Sequence, residues 1–419
     1  MTRRSLDDWL GYISAQHPAT IALGLDRVRD VASRLYLHQA KATITIGGTN
    51  GKGSTCAMLE RVLLEAGYRV GLYTSPHLRR YNERVRLEGE DANDASLVRA
   101  FERVEKVRHG VPLTYFEFGT LAALSHFDQM CAEAIILEVG LGGRLDAVNI
   151  IDSDVAAVVS VDLDHQAYLG NDRESIGYEK AGIYRAGKPA LFGDIDPPQR
   201  LVAHAQEIGA HLQVLGQDFR YEAHPGQWDF IGRKGSKRAL PMPALRGAWQ
   251  LKNASVALAA LDEVAEKLPV SLGEVKRGLT LARIEGRMQV LPGRPTVVLD
   301  VAHNPHAARS LASGLGDMGF HENTLAVFAM LADKDIASVV DAMRGRIDRW
   351  YVAAAQAERA ASAGAVAAIL GEKGLAGSTR TFATVASAFD AARRDAGPND
   401  RIVVFGSFYT VAEALRSAR

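Results

Sequence analysis

Residues 43–55 read Thr-Ile-Thr-Ile-Gly-Gly-Thr-Asn-Gly-Lys-Gly-Ser-Thr, an apolar β-branched run followed by a glycine turn that carries one lysine. Set between a strand and a helix, this composition suits phosphate groups. Backbone N–H groups at a helix start have no intrahelical partner, and the macrodipole places partial positive charge there. Glycines let the backbone approach anionic oxygens closely and take positive φ. On this reading Gly48, Thr49, Asn50, Gly51, Lys52, Gly53, Ser54 and Thr55 line the phosphates of ATP, with Lys52 reaching the β and γ groups. The strict phosphate-loop signature is not met, because Gly53 rather than Ser or Thr follows Lys52, and the spacing before Gly51 is one residue short counted from Gly47. A glycine-rich hairpin turn is the alternative. The strand–turn–helix context argues against it.

In open α/β sheets ligands collect at the carboxyl ends of strands, and three further polar groups fall at such ends. Ser75 lies in Thr74-Ser-Pro-His-Leu78, Glu138 closes Ala134-Ile-Ile-Leu-Glu138, and His165 ends Asp162-Leu-Asp-His165. A carboxylate at the end of a buried strand is costly unless it is paired or bound to a cation. Magnesium prefers hard oxygen donors and keeps several waters, so Glu138 and Ser75 suit it. Imidazole favours zinc and its neighbours, so by residue chemistry alone His165 reads more naturally as a capping or core histidine.

The elements that must hold these groups are legible as short β-branched runs alternating with amphipathic stretches, the pattern of βαβ units and a mostly parallel sheet. Strands are expected over 42–46, 70–74, 134–139 and 155–161, with helices over 54–66, 97–107 and 116–130. Residues 216–246 are polar, with aromatics scattered among Gly and Pro, and read as a small antiparallel excursion before a helix over 253–267. Leu291-Pro-Gly-Arg-Pro295 reads as a linker, after which strands are expected over 297–301, 325–330, 350–354, 379–382 and 402–405.

Composition narrows the function classes. The 419 residues carry 49 Lys plus Arg against 49 Asp plus Glu, which offers no electrostatic reason for nucleic acid or an acidic membrane as partner. No apolar run approaches the roughly 18 residues of a membrane helix, and the basic N-terminus is not followed by the apolar core of a signal peptide. Cys56 and Cys131 lack metal or disulfide spacing and read as two buried thiols in a reducing cytoplasm.

Six motifs stand in order along the chain: Gly48-Thr-Asn-Gly-Lys-Gly-Ser-Thr55, Thr74-Ser-Pro-His-Leu78, Leu137-Glu-Val-Gly-Leu-Gly-Gly-Arg-Leu-Asp146, Asp164-His165, Glu179-Lys-Ala-Gly-Ile183 and Asp300-Val-Ala-His-Asn-Pro305. Together they resemble the folylpolyglutamate synthase and dihydrofolate synthase family, a branch of the Mur ligase superfamily. The likeness runs from about Leu10 to Phe408. Each motif alone is weak; six at family spacing are specific.

The resemblance implies a Mur ligase-like α/β fold. A phosphate-loop ATPase domain with a mostly parallel sheet would occupy 1–290 and a Rossmann-like glutamate ligase domain 291–419, with ATP and acceptor in the cleft between them. It implies carboxylate activation: the acceptor carboxylate attacks the γ-phosphate, and the amine of L-glutamate captures the acyl phosphate. Lys52 would hold the phosphates. Ser75, Glu138 and His165 would hold magnesium, with a second ion placed by Lys180 carbamylated with carbon dioxide. That modification requires the neutral amine and hence a depressed pKa; a helix-surface lysine is the alternative. Asn253 matches an asparagine near the adenine, Arg287 an arginine reaching the nucleotide, and Asp300 and His303 the pair from the second domain. By residue type alone Asp300 would equally suit a helix cap, and His303 a core position.

Four stretches resemble the bifunctional bacterial type, namely those over 17–28, 81–86, 116–118 and 142–147. A pterin needs an aromatic slot and a carboxylate for its amino-pyrimidine edge. Phe118 and Asp146 would supply them, unless Phe118 is a core aromatic. Tyr168 stands where a tryptophan is frequent, which conserves the aromatic role. The expected enzyme joins L-glutamate to dihydropteroate and to tetrahydrofolate, as a cytoplasmic monomer. Enzymes that only extend folates are one alternative. A muramyl-peptide ligase would need a domain ahead of a phosphate loop that begins by residue 48. An ATP-driven switch would need the strict Lys–Ser pair and have no use for Lys180.

Overall fold

The computed structural model describes residues 4–19, 21–35, 37 and 39–417, so Thr20, inside the 17–28 stretch, lies outside the described residues. The chain folds as two compact units, one formed by 4–244 with 251–282 and the other by 245–250 with 283–417.

The first unit is built on strands β1 (Ala42–Gly47), β2 (Val70–Tyr73), β3 (Val85–Leu87), β4 (Glu90–Asp91), β5 (Ala134–Glu138), β6 (Val155–Val158), β7 (Pro189–Phe192) and β8 (His211–Val214). They form one sheet in the order β4-β3-β2-β5-β1-β6-β7-β8, parallel from β2 to β8, with β3 and β4 antiparallel at one edge. Strand β1 is buried at all six positions, with no polar–apolar alternation. That is the mark of a strand covered on both faces. The connection after β1 leads towards β2 and the one after β6 towards β7, in opposite directions. A crevice therefore opens at their carboxyl ends.

Helices Lys52–Glu65, Asp94–Arg108 and Tyr115–Gln129 cover the sheet. Their ends follow local chemistry: Thr114 and Glu117 form a reciprocal capping box, and Asn93 accepts from Ser96 N. The core gathers Trp9, Phe101, Phe118 and Phe127, each burial contributing roughly 1.5–3 kcal/mol. The excursion is a three-stranded antiparallel sheet of β9 (Arg220–His224), β10 (Gln227–Gly232) and β11 (Gly235–Pro241), with Trp228 and Phe230 fully buried.

The second unit carries β12 (Gln289–Leu291), β13 (Thr296–Leu299), β14 (Thr324–Phe328), β15 (Arg349–Val352), β16 (Thr379–Thr381) and β17 (Arg401–Phe405), in the order β12-β13-β17-β14-β15-β16. Only β12 is antiparallel. The 291–295 break forms the turn of the β12–β13 hairpin inside this unit. No helix among the described residues is long and apolar enough to cross a membrane.

Several expected elements move. Strand β6 ends at Val158 rather than at 161, because the next residues bond to the phosphate loop instead of a strand: Thr49 N donates to Ser160 O at 2.8 Å. The helix expected over 54–66 begins at Lys52, two residues early, and the helix expected over 253–267 runs Gln250–Glu263. Cys56 is buried, but Cys131 is exposed, contrary to expectation. It sits at φ 51° in the turn after the helix Tyr115–Gln129, where the chain reverses at the surface.

Candidate active site

Strand β1 delivers the glycine loop expected to hold phosphate, whose shape depends on two glycines. Gly48 takes φ 141°, and a Cβ there would lie 3.1 Å from Ser160 N. Gly51 takes φ 87° as N-cap of the helix Lys52–Glu65, and a Cβ there would meet Asn253 Oδ1 at 2.5 Å and Val159 Cγ1 at 2.8 Å. Asn253, from the helix Gln250–Glu263, therefore leans directly on the loop. The segment after β6 locks it further. Asn50 N donates to Ser160 Oγ, which donates back to Asn50 O, both at 3.0 Å, and Asp162 N donates to Thr49 Oγ1 at 3.0 Å.

Lys52 Nζ donates to Gly48 O at 2.9 Å and Thr49 O at 3.3 Å, so the charge is held over the loop. Gly53, Ser54 and Thr55 are buried behind it. The Thr55 hydroxyl donates to Gly51 O at 3.1 Å and secures the helix start.

Glu138 ends β5 beside β1, 5% exposed, and its Oε2 accepts from Ser75 N at 3.3 Å. The structure thus brings two of the expected metal donors together. His165 lies beyond β6 as N-cap of the short helix Gln166–Leu169, at φ 51°, its side chain 41% exposed and its Nε2 3.9 Å from Asp164 Oδ1.

Lys180 is not on a helix surface. It is 4% exposed, and burial first, then the charge of Lys52, depress its pKa to about 7 against partial support from Asp164 and Asp146. A Cβ on Gly143 would lie 2.9 Å from the carbonyls of Glu179 and Lys180, so the glycine turn packs against the lysine's own backbone. Arg144 N donates to Glu179 O at 2.8 Å and ties the two segments together.

Asp146 is buried and holds that turn, accepting from Leu141 N at 2.8 Å and Val148 N at 3.0 Å; burial pushes its carboxyl up to about 6. Phe118 does not stand beside it. It is fully buried against Trp9 and Phe101, with ring centres 6.4 and 5.9 Å away, as the core alternative has it. Phe116 takes the place expected of Phe118: a Cβ on Gly140 would lie 2.6 Å from Phe116 Cζ and 3.2 Å from Asp146 Oδ2, and Tyr73 flanks the ring at 5.9 Å. Two residues on a helix point about 200° apart, so only one of this pair can face Asp146.

In the second unit Asp300 follows β13, buried, and accepts from Met288 N and Ala302 N at 2.8 Å; burial raises its pKa and Arg287 opposes the rise. His303 Nδ1 faces Val301 O at 2.9 Å, so Nδ1 carries a proton and the acceptor nitrogen of the neutral ring is Nε2. The Arg287 guanidinium lies 5.0 Å from the Phe408 ring and His303 6.2 Å from it. Arg287 and His303 thus share an aromatic partner that residue types alone did not single out. Ser160, Tyr73 and Phe116 were missed likewise, because their roles arise from pairings across the sheet.

Residues 286–408 match the family model described as Mur ligase, glutamate ligase domain. Over 98% of this chain and 94% of the relative, the sequence is 44% identical to a dihydrofolate synthase/folylpolyglutamate synthase of Escherichia coli strain K12. It superposes on the structure of E. coli FolC in complex with DHPP and ADP with a TM-score of 0.94, at 44% identity over 99% of this chain and 98% of that one. A bifunctional folylpolyglutamate synthase/dihydrofolate synthase with Mn, AMPPNP and L-glutamate bound superposes at 0.92, with 44% identity over 99% and 98% of the two chains.

Proposed function

We propose a division of labour among these residues from one premise: the chain belongs to the dihydrofolate synthase/folylpolyglutamate synthase family, ATP-dependent ligases that join glutamate to folates. The acceptors are dihydropteroate and tetrahydrofolate, and the first unit activates their carboxylate. A carboxylate oxygen attacks the γ-phosphorus of ATP, the bond to the β–γ bridging oxygen breaks, and ADP leaves. The amine of L-glutamate then attacks the acyl carbon, phosphate departs with the carboxylate oxygen, and the amine loses its proton as the amide forms.

Lys52 and the loop amides meet the charge that develops on the transferring phosphoryl, where fixed donors contribute most. Ser75, whose backbone N–H meets Glu138 Oε2, and the buried Glu138 carboxylate offer hard oxygen donors, which fits magnesium. His165 completes that set. The cation supplies charge neutralisation at the β and γ oxygens. Lys180, already inclined to the neutral amine, is the carbamylation site, and its carbamate would face a second ion. Asn253 sits at the nucleotide end of the loop. Arg287 and Asp300 serve the nucleotide, and His303 Nε2 accepts the proton released by glutamate. Phe116 and Asp146, with Tyr73 beside them, bind the pterin. On this reading the enzyme is a monomer that works in the cytoplasm, a compartment that supplies ATP and glutamate.

The observation that carries this reading is the juxtaposition of Lys52, the Ser75–Glu138 pair and a buried, low-pKa Lys180 within one unit. Phosphate release should be measured with dihydropteroate and with tetrahydrofolate, each with and without L-glutamate. Both acceptors are expected to support glutamate-dependent release. Release with tetrahydrofolate alone would make the enzyme a folate extender only; release with neither would refute the ligase assignment.

A further inference from the structure

Arg84 is a half-buried cation without a carboxylate. It closes the 3-10 turn Tyr81–Arg84, in a stretch that the proposed chemistry leaves unused. Its Nε donates to His77 Nδ1 at 2.9 Å. The guanidinium carbon lies 5.5 Å from the ring centres of both Tyr81 and Tyr115, which meet edge to face at 5.9 Å. Neighbouring arginines are paired: Arg80 with Asp94, Arg86 with Glu60. The adjacent carboxylate, Glu83, is turned away, accepting from the backbone N–H groups of Leu78, Arg79 and Arg80. No carboxylate among the described residues pairs with Arg84.

Its surroundings fix it in place. Thr74 N donates to Arg84 O at 2.9 Å, and the next residue, Val85, pairs with Tyr73 across the β2–β3 ladder. Arg84 therefore stands beside the segment that leads from β2 to Ser75, and beside the Tyr73–Phe116 wall. Pinning Nε on an imidazole and laying the fork over two aromatic rings leaves the terminal NH2 groups as a preorganised donor pair. That is the geometry which recognises a carboxylate bidentately.

We propose that Arg84 forms a carboxylate subsite for the glutamyl tail of the acceptor, taking the α-carboxylate that tetrahydrofolate carries and dihydropteroate lacks. This rests on the ligase reading above. The reacting carboxylate is the poorer occupant, because two N–H donors on its oxygens would draw away the lone pairs that must attack phosphorus. The α-carboxylate stays charged throughout and does not react. After every addition the new terminal glutamate again presents one α-carboxylate beside one reacting γ-carboxylate, so the same subsite serves each cycle.

Tetrahydropteroate and tetrahydrofolate share a ring system and differ only in the glutamyl group, so their kcat/KM ratio isolates the subsite. In Arg84→Gln the ratio of tetrahydrofolate to tetrahydropteroate should fall at least about tenfold, through KM, with Arg84→Lys recovering part of it. Equal losses with both acceptors would overturn the proposal, since Arg84 would then serve the reacting carboxylate or the fold. So would a ratio within about twofold of wild type, which would sink the subsite alone. Wild type inactive on both acceptors would instead sink the ligase reading on which it rests.

Discussion

The proposed roles set opposite requirements on Lys52 and Lys180. Lys52 lies over the loop carbonyls and must stay charged to act on phosphate. Lys52→Ala should leave the fold intact and lower turnover by at least about 10²-fold, because one positioned cation at a transferring phosphoryl carries several kcal/mol. Near-normal phosphate release from the folded variant would remove the phosphate-loop assignment. On the proposed carbamylation Lys180 would have to lose its proton, and its pKa of about 7 sets the window. Below pH 7 the buried amine is protonated and cannot take up carbon dioxide; above it the neutral amine predominates. Activation by bicarbonate should therefore grow as pH rises from 6 to 8. Lys180→Ala should be inactive, with partial rescue by short carboxylic acids. A fully active Lys180→Ala enzyme, or unmodified lysine density at high resolution in a nucleotide-bound crystal, would count against the carbamate.

Among the elements, the loop between β1 and the helix Lys52–Glu65 is the least tolerant of change. Gly51 needs its left-handed φ and has Asn253 Oδ1 where a Cβ would go. Gly51→Ala adds roughly 1–2 kcal/mol of backbone strain, equivalent to about 5- to 30-fold, before any displacement of Asn253. Nucleotide binding, measured by calorimetry, should weaken by at least that factor, because the loop relieves the strain by leaving the conformation that would hold phosphate. Trimming the obstacle with Asn253→Ala in the same chain should restore part of the affinity. A Gly51→Ala enzyme that binds nucleotide as wild type would show that the loop is not the phosphate cradle.

For the whole molecule, the proposed role of Ser75 and Glu138 as metal donors predicts that turnover depends on a divalent cation. Exhaustive chelation should abolish glutamate-dependent phosphate release, and magnesium or manganese should restore it. Nucleotide with cation at 100-fold over Kd should add about 2.7 kcal/mol to the stability of the liganded unit, read as a raised melting temperature. Retained turnover after chelation would remove the metal from the reaction. So would a stabilisation by nucleotide that is indifferent to the cation.

Local sequence determined the phosphate loop, because a strand, a glycine turn and a lysine are contiguous and their chemistry is one of backbone and charge. It also determined the parallel sheets, since β1, β5, β14 and β17 are apolar enough to be recognised as strands covered on both faces. The resemblance placed Ser75 and Glu138 in one site although they lie 63 positions apart. Tertiary structure alone decided the rest. Residue type could not separate Phe116 from Phe118; helical period and the packing of Trp9 and Phe101 on one face did so. Whether Lys180 was a surface lysine or a low-pKa amine depended on how much protein covers it, and burial is a property of the fold. The early end of β6 and the lack, among the described residues, of a carboxylate on Arg84 have the same origin. Both depend on which partners long-range contacts deliver: Thr49 draws Ser160 out of the ladder, and Glu83 gives its oxygens to backbone N–H groups rather than to its neighbour.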